Sequence, residues 1–217
     1  MEGYSLTEAQ MAVVANPVLG EKKLGSVGMP LPDVHVDILD SDDGRTPVPP
    51  GEVGEIVISA PQLMRGYWQR PDETREMLRT DDRGDRRLFT GDLGYLDEDG
   101  YLFIVDRKKD LIKTCGFQVW PREIEEVIST HPAVEEVGVV GLPDNMRGEV
   151  VKAWVVLRAD CVLTSSDLKL YCRDRLAPYK IPAKYEFVAD LPKTQIGKVL
   201  RRVLRQTEDK SEEVEVV

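Results

Sequence analysis

Cysteine and histidine are scarce in these 217 residues: three cysteines, Cys115, Cys161 and Cys172, and two histidines, His35 and His131. The cysteines are odd in number, far apart and without a C-x-x-C pair, so they suggest neither a disulfide framework nor a zinc site. A reducing compartment suits such a chain, and a cytoplasmic location is the expectation. With so few histidines and no G-x-S-x-G turn, a Ser-His-Asp triad has little support, and both histidines read as surface or strand residues. No apolar run approaches bilayer length, and the opening "MEGYSLTEAQ" lacks the basic and apolar regions of an export signal. Positive charge is also short, with 29 Lys and Arg against 39 Asp and Glu for a formal charge of −10. General nucleic-acid binding, which requires a basic surface to displace counterions from phosphates, is therefore not expected. There is no tract dominated by Gly and Pro and no repeat, so the chain reads as globular, with one or two domains.

The basic residues that are present gather near the carboxyl end. Lys180, Lys184, Lys193, Lys198, Arg201, Arg202 and Arg205 precede the acidic tail "EDKSEEVEVV", which is expected to be disordered from about residue 207. A local cationic site on an acidic chain suits a small anionic ligand, and a solvated helix face accounts for the charge equally well.

Residues up to about 107 read as strands and turns. "VHVDIL" (Val34 to Leu39) alternates, "GEIVIS" (Gly54 to Ser59) is β-branched, and the turn-rich stretch between them makes a hairpin with a long loop. Asp99-Gly100 reads as a turn between Tyr95-Leu96 and Tyr101 to Val105. Beyond Lys108 the texture changes. "PREIEEVISTHP" has Pro121 in a first-turn position, acidic residues near the favourable end, Ile124, Val127 and Ile128 on one face, and a stop at Pro132. "EEVGVVGL" and "EVVKAWVVLR" are strands, the second with Val151, Ala153, Val155 and Leu157 on one face. "SSDLKLYCRDRL" is a helix with serine caps, "AKYEFV" a short strand, and a last helix follows Gly197 and Lys198. Between the halves, "VDRKKDLIKTCGFQVWP" reads as a plain linker or as a hinge beside a ligand. Its apolar anchors Leu111, Ile112, Phe117 and Val119 favour the hinge.

The segment "LPKTQIGKVLRR" places Lys198 where a helix begins, an end whose free N–H groups repel cations. It is not a phosphate loop, since Val199 follows the G-K pair where Ser or Thr should stand and Pro192 replaces the first glycine. Paired carboxylates such as Glu125-Glu126 are explained by the helix dipole without any chemistry.

Five stretches in order, "GYSLTE" (Gly3 to Glu8), "FTGDLGYLDEDGYL" (Phe89 to Leu102), "DRKKDLIKTCGFQVWPREIE" (Asp106 to Glu125), "LAPYKIP" (Leu176 to Pro182) and "LPKTQIGKVLRR" (Leu191 to Arg202), resemble the successive motifs of the adenylate-forming superfamily. That family includes acyl-CoA synthetases, firefly luciferases and peptide-synthetase adenylation domains. "RGYWQRPDET" and the later motifs are most similar to bacterial fatty-acyl-CoA ligases of medium to long chain preference; aryl-CoA ligases carry closely similar motifs. The resemblance implies an α+β fold. Residues 1–108 would be the β-rich last subdomain of the large AMP-binding domain and 109–217 the small α+β carboxyl-terminal lid. The family's Ser/Thr/Gly-rich phosphate loop should lie upstream of "GYSLTE", where only Met1 and Glu2 stand, so the expectation is a fragment that releases no pyrophosphate by itself. A non-catalytic lid module is the alternative from another class.

By resemblance the substrates are ATP, a small carboxylic acid, most simply a fatty acid, and coenzyme A, with Mg²⁺ as cofactor. Lys198 would be the catalytic cation at the developing charge, against the bland reading of a solvent-exposed lysine. Tyr4 would lie against adenine, Thr7 at phosphate, and Glu8 on magnesium; a glycine is commoner in the family where Ser5 stands. Asp92 would accept from both ribose hydroxyls, or else be a turn aspartate before Gly94. Arg107 would reach ribose and phosphate, or form a surface ion pair with Asp106 or Asp110. Lys109 matches the family hinge, and Lys113 and Gly116 would border the pantetheine tunnel after the lid rotates.

Overall fold

The computed structural model describes residues 2–81, 84–194 and 197–214. The fold is mixed α+β and forms two compact units, Met1–Lys109 and Asp110–Val217.

In the first unit, β1 (Gly3–Ser5), β2 (Ala12–Ala15) and β3 (Met29–Pro30) form an antiparallel three-stranded sheet in that order. A second, five-stranded sheet is built from β4 (His35–Leu39), β5 (Gly54–Ser59), β6 (Leu78–Thr80), β7 (Arg86–Leu96) and β8 (Leu102–Arg107). Strand β7 is the long spine. Its first residues pair with β6 and its last with β8, while β5 covers its other edge. Alternation decides the packing of β5: Ile56 and Ile58 join Tyr4, Val13, Val14, Leu88 and Leu102 in the main core, and Val57 turns to the opposite side with Leu39 and Phe89. The expected β4–β5 hairpin and the Asp99-Gly100 turn are both present, the turn fastened by Asp97, whose Oδ1 accepts from the N–H groups of Asp99 and Tyr101. One helix, α1 (Pro71–Met77), departs from the all-strand reading. It buries no residue, so it leaves no apolar period to read; Pro71 in its first turn and Asp72 and Glu73 beside the dipole account for it.

In the second unit, β9 (Ile112–Thr114) and β10 (Phe117–Val119) form a hairpin in the stretch between the halves. Cys115 (φ 50°) and Gly116 (φ 81°) are both left-handed, the geometry of a two-residue turn whose twist matches its strands. Helix α2 (Pro121–Ser129) follows, then the long antiparallel pair β11 (Val134–Asp144) and β12 (Gly148–Leu157), α3 (Ser165–Arg173), β13 (Lys184–Phe187) and α4 (Arg201–Val214). Strand β13 runs parallel to β12. Both faces of the sheet are covered. Val151, Ala153 and Val155 pack with Ile124 and Ile128 of α2 and Leu168 and Cys172 of α3, whereas Val150, Trp154 and Val156 pack with Leu191 and with Leu204 of α4. A strand buried on both sides reads as a continuous apolar run, as "EVVKAWVVL" does.

Three expectations are corrected here. The cap of α3 is Thr164, not a serine: its side chain accepts the Asp167 N–H at 3.2 Å while Asp167 Oδ2 accepts the Thr164 N–H at 3.1 Å. That reciprocal pair requires an acid at the third helical position, which fixes Thr164 as the cap. Helix α4 begins at Arg201 instead of at Lys198, because the chain before it is closed into a turn by Thr194 and by Gly197 in the left-handed region (φ 80°). The acidic segment expected to be disordered continues α4 as far as Val214. Once a helix is anchored by a buried residue such as Leu204, adding helix-tolerant Glu and Lys residues costs little.

Candidate active site

In the first unit the structure brings Tyr4, Asp92 and Arg107 together. Tyr4 is central in β1, opposite Val14, and its ring is buried. Its Oη donates to Asp92 Oδ2 at 2.5 Å, closing a contact between residues far apart in sequence. Asp92 is on β7 and is 8% exposed; its own N–H donates to Thr90 Oγ1 at 3.1 Å, and the Thr90 hydroxyl donates to the Ile56 carbonyl at 2.7 Å. Register places Arg107 of β8 directly opposite, with Nε 3.3 Å from Asp92 Oδ1. Arg107 therefore pairs with Asp92, while Asp106 Oδ1 accepts the Arg107 N–H at 2.8 Å.

Burial, followed by the charge and hydrogen bond of Asp92, pushes the Tyr4 phenol far above its ordinary range. Tyr4 is thus a permanent donor. It fixes the plane of the carboxylate, and since each carboxylate oxygen has two lone pairs, both remain able to accept from a ligand. A buried carboxylate with a fixed plane beside an exposed guanidinium is suited to two neighbouring hydroxyls next to a phosphate.

Close by in sequence, Thr7 and Glu8 lie in a short 3-10 turn, Thr7–Ala9. Glu8 Oε1 accepts from Tyr67 Oη at 2.7 Å, and its carbonyl accepts the Met64 N–H at 2.7 Å. Burial first, then the Glu8 hydrogen bond and charge, raise the Tyr67 phenol to about 12. Among the described residues no group of three or more His, Cys, Asp or Glu could hold a metal. A single oriented carboxylate fits the other mode, in which Mg²⁺ takes one or two protein oxygens and completes its shell with phosphate and water.

Sequence reasoning gave no role to Tyr67, Thr90 or Glu55. Glu55 is 4% exposed and accepts Lys108 Nζ at 2.6 Å and the Gly91 N–H at 3.3 Å, so it steadies the turn that presents Asp92 and the residue before Lys109. An acid among the apolar residues of "GEIVIS" is the signal that could have found it.

Lys109 is exposed within the 3-10 turn Lys108–Asp110. In the second unit, Lys113 is on β9, where its N–H donates to Glu149 Oε2 at 2.6 Å. Gly116 is at the exposed tip of the β9–β10 hairpin, and the neighbouring Cys115 N–H donates to the Arg147 carbonyl at 2.8 Å. Phe117 stacks on Tyr179, with ring centroids 4.4 Å apart. Lys198 is exposed. Its N–H donates to Thr194 Oγ1 at 3.1 Å and its carbonyl accepts the Thr194 N–H at 2.8 Å, so its backbone is satisfied by the turn and does not point outward as a helix end would.

The first unit thus holds a buried, tyrosine-fixed carboxylate beside an arginine, with an oriented glutamate on a nearby turn; in the second unit, Lys198 lies on a closed turn. Two family models match: "AMP-binding enzyme" over residues 1–68 and "AMP-binding enzyme C-terminal domain" over residues 123–198. The chain belongs to the AMP-binding, adenylate-forming enzymes. It is 45% identical over 214 residues to a long-chain-fatty-acid–CoA ligase of Bacillus subtilis (strain 168), covering 99% of this chain and 37% of that protein. Among solved structures it resembles ATP-bound MatB from Rhodopseudomonas palustris, with a TM-score of 0.86 and 38% identity over 95% of this chain and 40% of that one. It also resembles o-succinylbenzoate CoA synthetase from Bacillus subtilis in complex with its acyl-adenylate intermediate, with a TM-score of 0.80 and 38% identity over 94% of this chain and 40% of that one. The chain thus spans well under half the length of these relatives. Among its described residues no helix is long and apolar enough to cross a membrane.

Proposed function

We propose that this chain is part of an ATP-dependent, AMP-forming acyl-CoA ligase whose acid is a fatty acid. The observation that carries the reading is Asp92, buried and held between Tyr4 and Arg107 as a ribose-binding carboxylate requires. The name of the Bacillus subtilis fatty-acid ligase supports the acid; the o-succinylbenzoate enzyme keeps aryl and other carboxylates as the second reading. A cytoplasmic location follows from the substrates, ATP and coenzyme A.

In the first half-reaction a carboxylate oxygen attacks the α-phosphorus of ATP and the bond to pyrophosphate breaks. Two anions must approach and charge builds on the phosphate, so a cation placed there stabilises the transition state more than the ground state. Lys198 supplies that ammonium. Asp92 accepts the ribose hydroxyls, Tyr4 contacts adenine, Arg107 reaches ribose and phosphate, and Thr7 adds a phosphate contact. Glu8 would hold Mg²⁺, which neutralises phosphate charge when bound. In the second half-reaction the sulfur of coenzyme A attacks the acyl carbon, the acyl–phosphate bond breaks, AMP leaves with the electron pair, and the thiol proton is released. Lys109 changes its backbone angles between the two, and Lys113 and Gly116 border the thiol's path.

The test separates the half-reactions in the complete enzyme. Lys198→Ala should cut fatty-acid-dependent pyrophosphate release by about 10²–10³-fold or more, as removal of other preorganised oxyanion partners does, while supplied acyl-adenylate is still converted to thioester. Undiminished pyrophosphate release would remove the proposal's central residue.

A further inference from the structure

Arg201 is the first residue of α4, a place where the helix dipole favours acids and opposes a cation. Its side chain is only 18% exposed and holds two carboxylates at once. Nε donates to Glu125 Oε1 at 3.1 Å and Nη2 to Glu125 Oε2 at 2.6 Å, a two-pronged contact, while Nη1 donates to Asp110 Oδ2 at 3.1 Å. Glu125 is on α2, and its Oε1 also accepts the Val139 N–H of β11 at 2.8 Å. Asp110 directly follows Lys109. The same end of α4 is fixed by backbone contacts, with the Leu200 N–H on the Pro192 carbonyl at 2.7 Å and Val199 bridged to Lys193. A planar fork can satisfy both acids together; a single ammonium cannot reproduce that geometry.

We infer that Arg201 is a positioning residue for Lys198, tying the turn that carries it to Asp110 and so to the residue that follows the proposed hinge. The inference rests on the roles proposed for Lys198 and Lys109. Through this clamp, backbone rotation at Lys109 is passed to Lys198 without slack, because Asp110, α2, β11 and the start of α4 share one set of charge-assisted bonds. Without the guanidinium, two partly buried carboxylates are left without their common cation, and the Lys198 turn loses its connection to the hinge side.

The experiment compares Arg201→Lys, Arg201→Ala and Asp110→Asn in the complete enzyme, with Lys198→Ala alongside. Each half-reaction is measured separately, and thermal melting reports folding. Arg201→Lys should lower kcat for pyrophosphate release by about tenfold, within the range expected of a sub-ångström to 1 Å misplacement, leave KM for ATP within about twofold, and change thioester formation from supplied acyl-adenylate by less than about threefold. Arg201→Ala should lose more and Asp110→Asn less, in the same half-reaction. Equal loss in both half-reactions, or none in either, overturns the inference while Lys198→Ala still abolishes adenylation. If Lys198→Ala adenylates normally, the catalytic reading fails first and the inference falls with it. The two failures are therefore distinguishable even if Arg201→Ala does not fold.

Discussion

Replacing Tyr4 with Phe removes one oxygen and leaves the ring in place. The lost contact is a hydrogen bond to a buried carboxylate, a class worth about 1.5–3 kcal/mol. Asp92 keeps the Arg107 guanidinium 3.3 Å from its other carboxylate oxygen, so the low end applies, about 1.5 kcal/mol. For a unit of about 100 residues, which loses roughly 4 °C or more for each kcal/mol, that is a drop of about 6 °C in Tm. The nucleotide should behave differently. On the proposed binding mode the ring still faces adenine and ribose hydroxyls donate to the carboxylate that has lost the phenol, so KM for ATP in the complete enzyme should stay within about threefold. Melting with and without saturating AMP, together with initial rates against ATP, makes the measurement. The pH dependence has a definite sign. The folded phenol titrates above the unfolded one, so its contribution is present below the unfolded value of about 10 and fades as pH rises beyond it. The gap between wild type and variant should be flat from about pH 7 to 9 and close only above about pH 10. A tenfold rise in KM for ATP without loss of Tm would refute the reasoning, because the hydroxyl would then be touching nucleotide and not orienting Asp92.

Two further variants test other parts of the site. Lys109→Pro should leave pyrophosphate release largely intact and cut thioester formation by about 10²-fold or more, because proline fixes φ where rotation is needed; parallel loss of both half-reactions would count against a hinge. Glu8→Gln should raise the magnesium concentration needed for half-maximal adenylation by about tenfold or more, and the Tyr67 phenol, at about 12 in the wild type, should titrate lower while burial keeps it above its ordinary value. An unchanged Tyr67 titration by NMR would show that Glu8 does not charge that contact.

Local signals and distant contacts divided the molecule between them. Helix α2 was legible because Ile124 and Ile128 repeat at the helical period behind Pro121, and the β4–β5 hairpin because Val36, Ile38, Ile56 and Ile58 sit beside turn-forming residues. Helix α1 was not, since none of its side chains is buried. The β9–β10 hairpin leaves little local trace because its turn uses Cys115, a residue seldom left-handed, beside Gly116, and because its charges and apolar anchors read as a hinge. For Lys198, the apolar spacing of Val199, Leu200, Val203 and Leu204 suggested a helix start, but a tight turn stabilised by Thr194 and Gly197 takes precedence there.

The sequence by itself determined the family, the order of the motifs and the residue types at each candidate position, because these are properties of the chain read in one direction. Only the tertiary structure decided that the phenol of Tyr4 fixes Asp92, that Arg107 faces Asp92 and not Asp110, and that Arg201 joins Asp110 to Glu125. Those pairings depend on strand register and on two-sided packing of a sheet, which bring distant residues within bonding range and leave no periodic trace in the sequence.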